Sequence, residues 1–205
     1  MSKKLVAAVK KNKSAKVLQL IERGASPSAA PSGCFSRGRT PLYFAIERRL
    51  LDMVTLLLDY GADVNGLCCK SSWQGDGRRT ERGGLTPVAL CIKIAAPDLL
   101  QILLARGADP NSFFKTANGR FYPLPYAVRY AKLNNSYEAV ECLKVLLKHG
   151  ADPSRPVEHY VSTLSQGTDS SVQRVYNTYT PVEYAGYFGL PEVAGLIKRH
   201  LTIRD

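Results

Sequence analysis

The residues of this 205-residue chain best suited to chemistry are its five cysteines and three histidines, and their spacing serves chemistry poorly. Cys34, Cys68, Cys69, Cys91 and Cys142 are odd in number and irregularly placed, which is no disulfide framework. Cys68 and Cys69 are adjacent, so they leave no chelate loop for tetrahedral zinc, and neither a Cys-x-x-Cys nor a His-x-x-x-His pair occurs. His149 and His200 fall near predicted helix ends, where a cation suits the helix dipole. The stretch GDGRRTERGG is glycine-rich, but no G-x-x-x-x-G-K-[ST] phosphate loop occurs, and the stretch lacks a preceding strand and a following phosphate-loop helix. The carboxylates are scattered and form no acid/base pair. No catalytic residue, metal site or cofactor is therefore expected, and no enzyme.

Contact chemistry is better supplied. Lysine and arginine total 28 against 17 acids, a net charge of +11 that favours acidic partners. Lys3, Lys4, Lys10, Lys11, Lys13 and Lys16 face a single acid, Glu22, in the first 22 residues. Trp73, the one tryptophan, lies among Lys70, Arg78, Arg79 and Arg82. Trp, Tyr and Arg are the types enriched at binding hot spots.

The elements that must position these residues repeat. RTPLYFAIERRLLDMVTLLLDYGADVN, from Arg39 to Asn65, opens on Thr-Pro and closes on Gly-Ala-Asp. Thr-Pro recurs at Thr86-Pro87 and Thr180-Pro181, with Tyr122-Pro123 as a variant. Gly-Ala recurs at Gly24-Ala25, Gly107-Ala108 and Gly150-Ala151. Thr40 to Asn65 and Thr86 to Asn111 are each 26 residues, so the unit is an internal repeat. Thr before Pro predicts a capped helix start, and Gly a left-handed helix end. The intervening leucines (Leu56 to Leu58, Leu103 and Leu104, Leu146 and Leu147) are predicted to pack between layers.

These segments, TPLYFAI…DMVTLLLDYGADVN, TPVALCI…DLLQILLARGADPN, YPLPYAV…CLKVLLKHGADPS and TPVEYAG…EVAGLIKRH, resemble the ankyrin-repeat family. The resemblance implies an all-α solenoid of helix-turn-helix repeats with hairpin-like finger loops. About five repeats are expected in one domain, 1–205, at approximately 3–27, 38–65, 84–111, 120–154 and 178–201. Insertions at 66–83 and 155–177 interrupt them, and a third lengthens the fourth helix pair by about two turns. Insertions of this size in a solenoid map to loops, often on the binding face. Where the family has a helix-breaking glycine this chain has Arg49 and Ala95, and Tyr43 and Ala89 replace the family's histidine.

The family's contact positions carry over to Arg37, Arg39, Glu47 and Arg48, then to Arg82, Leu85 and Lys93, then to Lys115, Arg120, Arg129 and Tyr179. Trp73 joins them as an anchor in the first insertion. The implied function is a non-enzymatic adaptor that takes an acidic protein or peptide in its groove. Two alternatives remain: nucleic-acid binding by the basic N-terminal cap and basic loop, or a substrate-recruiting part of a larger regulatory complex. The basic start is followed by too short an apolar run for a signal peptide, and no run of about 20 apolar residues occurs, so an intracellular monomer without membrane insertion is expected.

Overall fold

A computed structural model describes residues 1–31, 38–71, 83–116, 119–134, 136–162 and 174–202. Within them the helices come in pairs. The first pair is α1 (Ser2–Lys10) with α2 (Ser14–Glu22), then α3 (Pro41–Glu47) with α4 (Leu51–Asp59), and α5 (Pro87–Lys93) with α6 (Pro97–Ala105). α7 (Pro123–Asn134) with α8 (Tyr137–Lys148), and α9 (Pro181–Tyr187) with α10 (Pro191–Thr202), complete the series. The first members stack in chain order, α1 on α3, α3 on α5, α5 on α7 and α7 on α9. The second members form a parallel layer from α4 through α6 and α8 to α10.

The local causes are those the sequence predicts. Thr40, Thr86 and Thr180 each accept, through the side-chain oxygen, the N–H of the third helical residue, and each precedes a proline at the first helical position. Thr180 and Glu183 complete a reciprocal capping box. Gly61 and Gly107 end α4 and α6 at φ +84°, and a Cβ there would meet nothing within 4 Å, so backbone conformation and not space selects glycine. Arg49 and Ala95, standing where the family has glycine, take the same left-handed region at φ 53° and 50°. Arg49 offsets its strain by donating to the carbonyls of Ile94 and Ala95 in the next pair.

The core runs the length of the array. Leu42 to Ile46 and Val88 to Ile92 are buried in the first layer, and Met53, Val54, Leu57, Leu99, Leu100, Leu103, Leu143, Leu146 and Leu147 between the layers. Leu56 and Leu58 are only partly buried against it. The lengthened pair is visible as twelve-residue α7 and α8, against seven and nine residues in α5 and α6.

The fingers are paired strands. β1 (Cys69–Ser71), β2 (Gly83–Leu85), β3 (Phe114–Thr116) and β4 (Gly119–Phe121) form one antiparallel sheet in chain order, joined across two fingers by Gly84 opposite Lys115. β5 (Val157–Ser162) and β6 (Arg174–Tyr179) form a longer hairpin that packs beside β4. The insertion at 155–177 is thus anchored in β structure, with Tyr160 opposite Tyr176 in the register.

One device was not foreseen from the repeat ends. Asn65 donates from Nδ2 to the Gly107 carbonyl (3.2 Å) and accepts the Asp109 N–H at Oδ1 (2.8 Å). Asn111 repeats both bonds one unit later, to Gly150 (3.1 Å) and from Asp152 (2.7 Å). Ser28 does the same work at the start, between the Gly61 carbonyl and the Asp63 N–H. The first four repeats are thus clipped in series at the turns where their second helices end.

Candidate functional site

The first helices of four pairs end in the same way. Each finishes on one residue, adds a second, then turns through a left-handed third: Lys10-Lys11-Asn12, Glu47-Arg48-Arg49, Lys93-Ile94-Ala95 and Tyr187-Phe188-Gly189. Because these helices stack in order, their last residues form a row along one edge of the layer. Lys10, Lys11, Glu47, Arg48, Lys93 and Tyr187 in that row are all exposed.

Columns run from this row toward the fingers, eight residues apart in the chain. In the second pair Arg39 lies over the Tyr43 ring (4.9 Å), and the Tyr43 hydroxyl donates to Glu47 Oε1 (2.8 Å). In the third pair the column is Leu85, Ala89 and Lys93. In the fourth, Arg129 lies over Phe121 (5.6 Å). In the last, the Tyr179 and Tyr187 ring centroids are 5.4 Å apart. The columns carry cations from the first pair through the fourth, with the carboxylate of Glu47 among them in the second, and aromatic rings at the fifth.

Most of the described positions named from sequence lie on these columns. Arg39, Glu47, Arg48, Lys93, Arg129 and Tyr179 do, with Arg39, Arg129 and Tyr179 half-buried. Lys115 and Arg120 stand opposite each other in β3 and β4. Leu85 requires correction: it is 9% exposed, a core residue and not a contact, because β2 lies against α5 and turns its side chain inward. Arg37, Trp73 and Arg82 lie outside the described residues. From sequence, Lys10 and Lys11 belong only to a basic terminal run, and Tyr187 has no role. The signal that finds them is position: one or two residues before a left-handed turn.

Electrostatics follow the same division. Lys10, Lys11, Arg39, Arg48 and Lys93 make no ion pair among the described residues; the pairs there are Arg106 with Asp59, Lys144 with Glu141 and Arg155 with Asp152. Lys10 instead lies 4.0 Å from the Phe44 ring centroid. At the aromatic end, burial pushes the Tyr184 hydroxyl up to about 12, opposed by the positive charge of Arg129. Tyr184 therefore stays neutral.

The three cysteines whose side chains are described offer no reactive centre at this face. Cys68, Cys91 and Cys142 are buried free thiols. Burial pushes Cys91 well above its ordinary value and Cys142 up to about 12. His149 sits at the end of α8, hydrogen-bonded to the Gln101 side chain of α6 (2.9 Å). Among the described residues no group of three His, Cys, Asp or Glu side chains is placed to hold a metal ion. No helix among them is long and apolar enough to cross a membrane.

Comparison with known proteins accords with the stacked helix pairs. The Ankyrin repeat family profile matches residues 37–68. The chain is 32% identical over 129 residues, 63% of its length, to "Transient receptor potential channel pyrexia" of Drosophila melanogaster. It is 31% identical over 156 residues, 74% of its length, to "Ankyrin repeat and MYND domain-containing protein 1" of Homo sapiens. The match spans only 11% and 14% of those two proteins.

Proposed function

From the premise of a chain built of ankyrin repeats, we propose that it is a non-enzymatic adaptor whose first-helix face grips an acidic segment of a protein partner. Ankyrin repeats are generally protein-interaction modules. The observation that carries the finer reading is the row of exposed cations Lys11, Arg48 and Lys93, none in an ion pair among the described residues, at the ends of three successive stacked helices. Stacking brings them to one edge of the first-helix layer, where cations outnumber the single acid Glu47, and such a predominantly basic edge suits an extended acidic chain more than a compact ligand. Such complementarity raises the association rate and makes it sensitive to salt.

The test needs a variant that changes the face and a control that changes only net charge. Arg48→Glu/Lys93→Glu alters the face, and Arg23→Glu/Lys198→Glu makes the same change in net charge at exposed residues off it. All four side chains are exposed, so both variants are expected to fold. Binding of a fluorescein-labelled twelve-residue glutamate-rich peptide is read by anisotropy at two ionic strengths. The face variant should bind at least tenfold more weakly, about 1.4 kcal/mol, and the control within about twofold of the parent. Equal loss in both variants would show non-specific attraction to a basic protein and sink the proposal. Tighter binding of a nucleic-acid duplex than of the peptide, abolished by reversing the N-terminal lysines, would transfer the function to the nucleic-acid alternative.

A further inference from the structure

The face is not uniform along its length, and the change in its chemistry prescribes the order of features in what it binds. The first four pairs present mainly cations: Lys10 and Lys11, then Arg48 and the half-buried Arg39 with the one acid Glu47, then Lys93, then the half-buried Arg129. The fifth presents Tyr179 and Tyr187, with Tyr187 53% exposed at the rim. Behind Tyr187 the rings are packed: Tyr184 lies nearly parallel to it (5°, 6.4 Å) and Phe188 edge-on (5.3 Å). Tyr187 is therefore held in place by its neighbours while still offering surface to a ligand.

Rigid, partly exposed tyrosines bind apolar or cationic groups. A cation is disfavoured here, because the Arg129 guanidinium already lies over Phe121 in the adjacent column. Proline fits best: its ring stacks on aromatic side chains, and a proline-rich segment is pre-ordered, so it loses little entropy on docking. The fold also sets a distance. Packed helices lie about 8–10 Å apart, so the two steps from α5 to α9 put Lys93 and Tyr187 roughly 16–20 Å apart. An extended chain covers about 3.3 Å per residue, which makes that span about five or six residues.

We propose that the partner segment carries an acidic run and, about six residues away, a proline-bearing run that docks on Tyr179 and Tyr187. This rests on the reading of the face as an acidic-peptide groove and adds a second anchor at a fixed separation. A single acidic run engages only half of the face. A segment with both runs at the right spacing gains from linkage, since the second contact forms within an already bound chain.

The test uses the full chain and three synthetic peptides: four glutamates alone, four glutamates joined to three prolines through a six-residue Gly/Ser spacer, and the same two runs with no spacer. With the parent protein the spaced peptide should bind at least tenfold more tightly than the acidic one, and deletion of the spacer should remove that gain. Tyr187→Ala should abolish the gain of the spaced peptide over the acidic one, and Tyr187→Phe should retain most of it. The inference is overturned if the spaced peptide shows no gain, if the gain survives without the spacer, or if Tyr187→Ala keeps it. In each of those cases binding of the acidic peptide, with its sensitivity to Arg48 and Lys93, would leave the adaptor reading standing. If no acidic peptide binds at all, that reading itself is lost.

Discussion

Replacing Asn111 by alanine isolates the clip between the third and fourth repeats. The native side chain makes two bonds across the interface, donating to the Gly150 carbonyl at 3.1 Å and accepting the Asp152 N–H at 2.7 Å. Its own backbone N–H bonds to Asp109 Oδ1 at 2.8 Å, and the substitution leaves that bond intact, so the local turn survives. A net hydrogen bond contributes about 0.5–1.5 kcal/mol, and a part-buried group left unpaired costs about 1–3 kcal/mol. Two lost bonds with partial rescue by water give an expected destabilisation of about 2 kcal/mol. Asn65→Ala deletes the same pair of bonds, but both are exposed, so water replaces them more fully and about 1 kcal/mol is expected. Asn111→Asp keeps the acceptor for the Asp152 N–H but turns a second oxygen toward the Gly150 carbonyl, and should be no better than alanine at pH 7. Urea unfolding followed by far-ultraviolet circular dichroism measures all three. A solenoid's stability is carried by neighbour interfaces, so a weakened interface should also broaden the transition. The reasoning is refuted if Asn111→Ala lies within about 0.5 kcal/mol of the parent, the range of an ordinary surface change. It is refuted equally if Asn65→Ala costs more than Asn111→Ala.

The remaining predictions concern the helix ends, the acid limb and the thiols. Gly107→Val should destabilise by about 1–2 kcal/mol through the left-handed backbone alone, since its side chain has open space; a thermal melt unchanged within a degree would contradict this. The Thr180 N–H and hydroxyl hold Glu183 below the ordinary carboxylate range, and Ser154 does the same for Asp152. Both values are depressed on folding, so the stability they confer is present above the unfolded-state values, about 4, and is lost as pH falls through the folded ones. The double variant Asp152→Asn/Glu183→Gln should therefore lose less stability than the parent on acidification from about pH 5 to pH 2, and an identical acid limb would contradict it. Cys91 and Cys142 should resist iodoacetamide at pH 8 in the folded protein and react on unfolding, as read by peptide mass spectrometry; rapid native labelling of either would overturn their buried assignment.

What the sequence determined by itself is everything whose cause is local. Thr40, Thr86 and Thr180 before proline start helices because a hydroxyl and a pre-set φ act within one turn. Gly61, Gly107 and Gly150 end them because only a residue tolerant of positive φ closes that turn. Spacing between such signals gave the repeat and the all-α array, and the added length of the fourth pair was readable as extra residues. Arg49 and Ala95 show where local rules stop: both adopt the left-handed turn without being glycine, and the Arg49 side chain bonds the next pair's carbonyls from that position.

Only the tertiary structure decided which side chains share a face. Leu85 sits at a contact position by alignment, yet pairing of β2 with β1 and its packing on α5 turn it into the core. Lys10, Lys11 and Tyr187 are distant in sequence and carry no common motif, and stacking of α1 to α9 brings them to one edge with Arg48 and Lys93. Asn65 and Asn111 look like ordinary turn residues until the next repeat supplies the carbonyl and the N–H they bind. The physical reason is common to all three: local propensity acts within one turn of chain, whereas a binding face is a relation between repeats, fixed by the packing of one layer on the next.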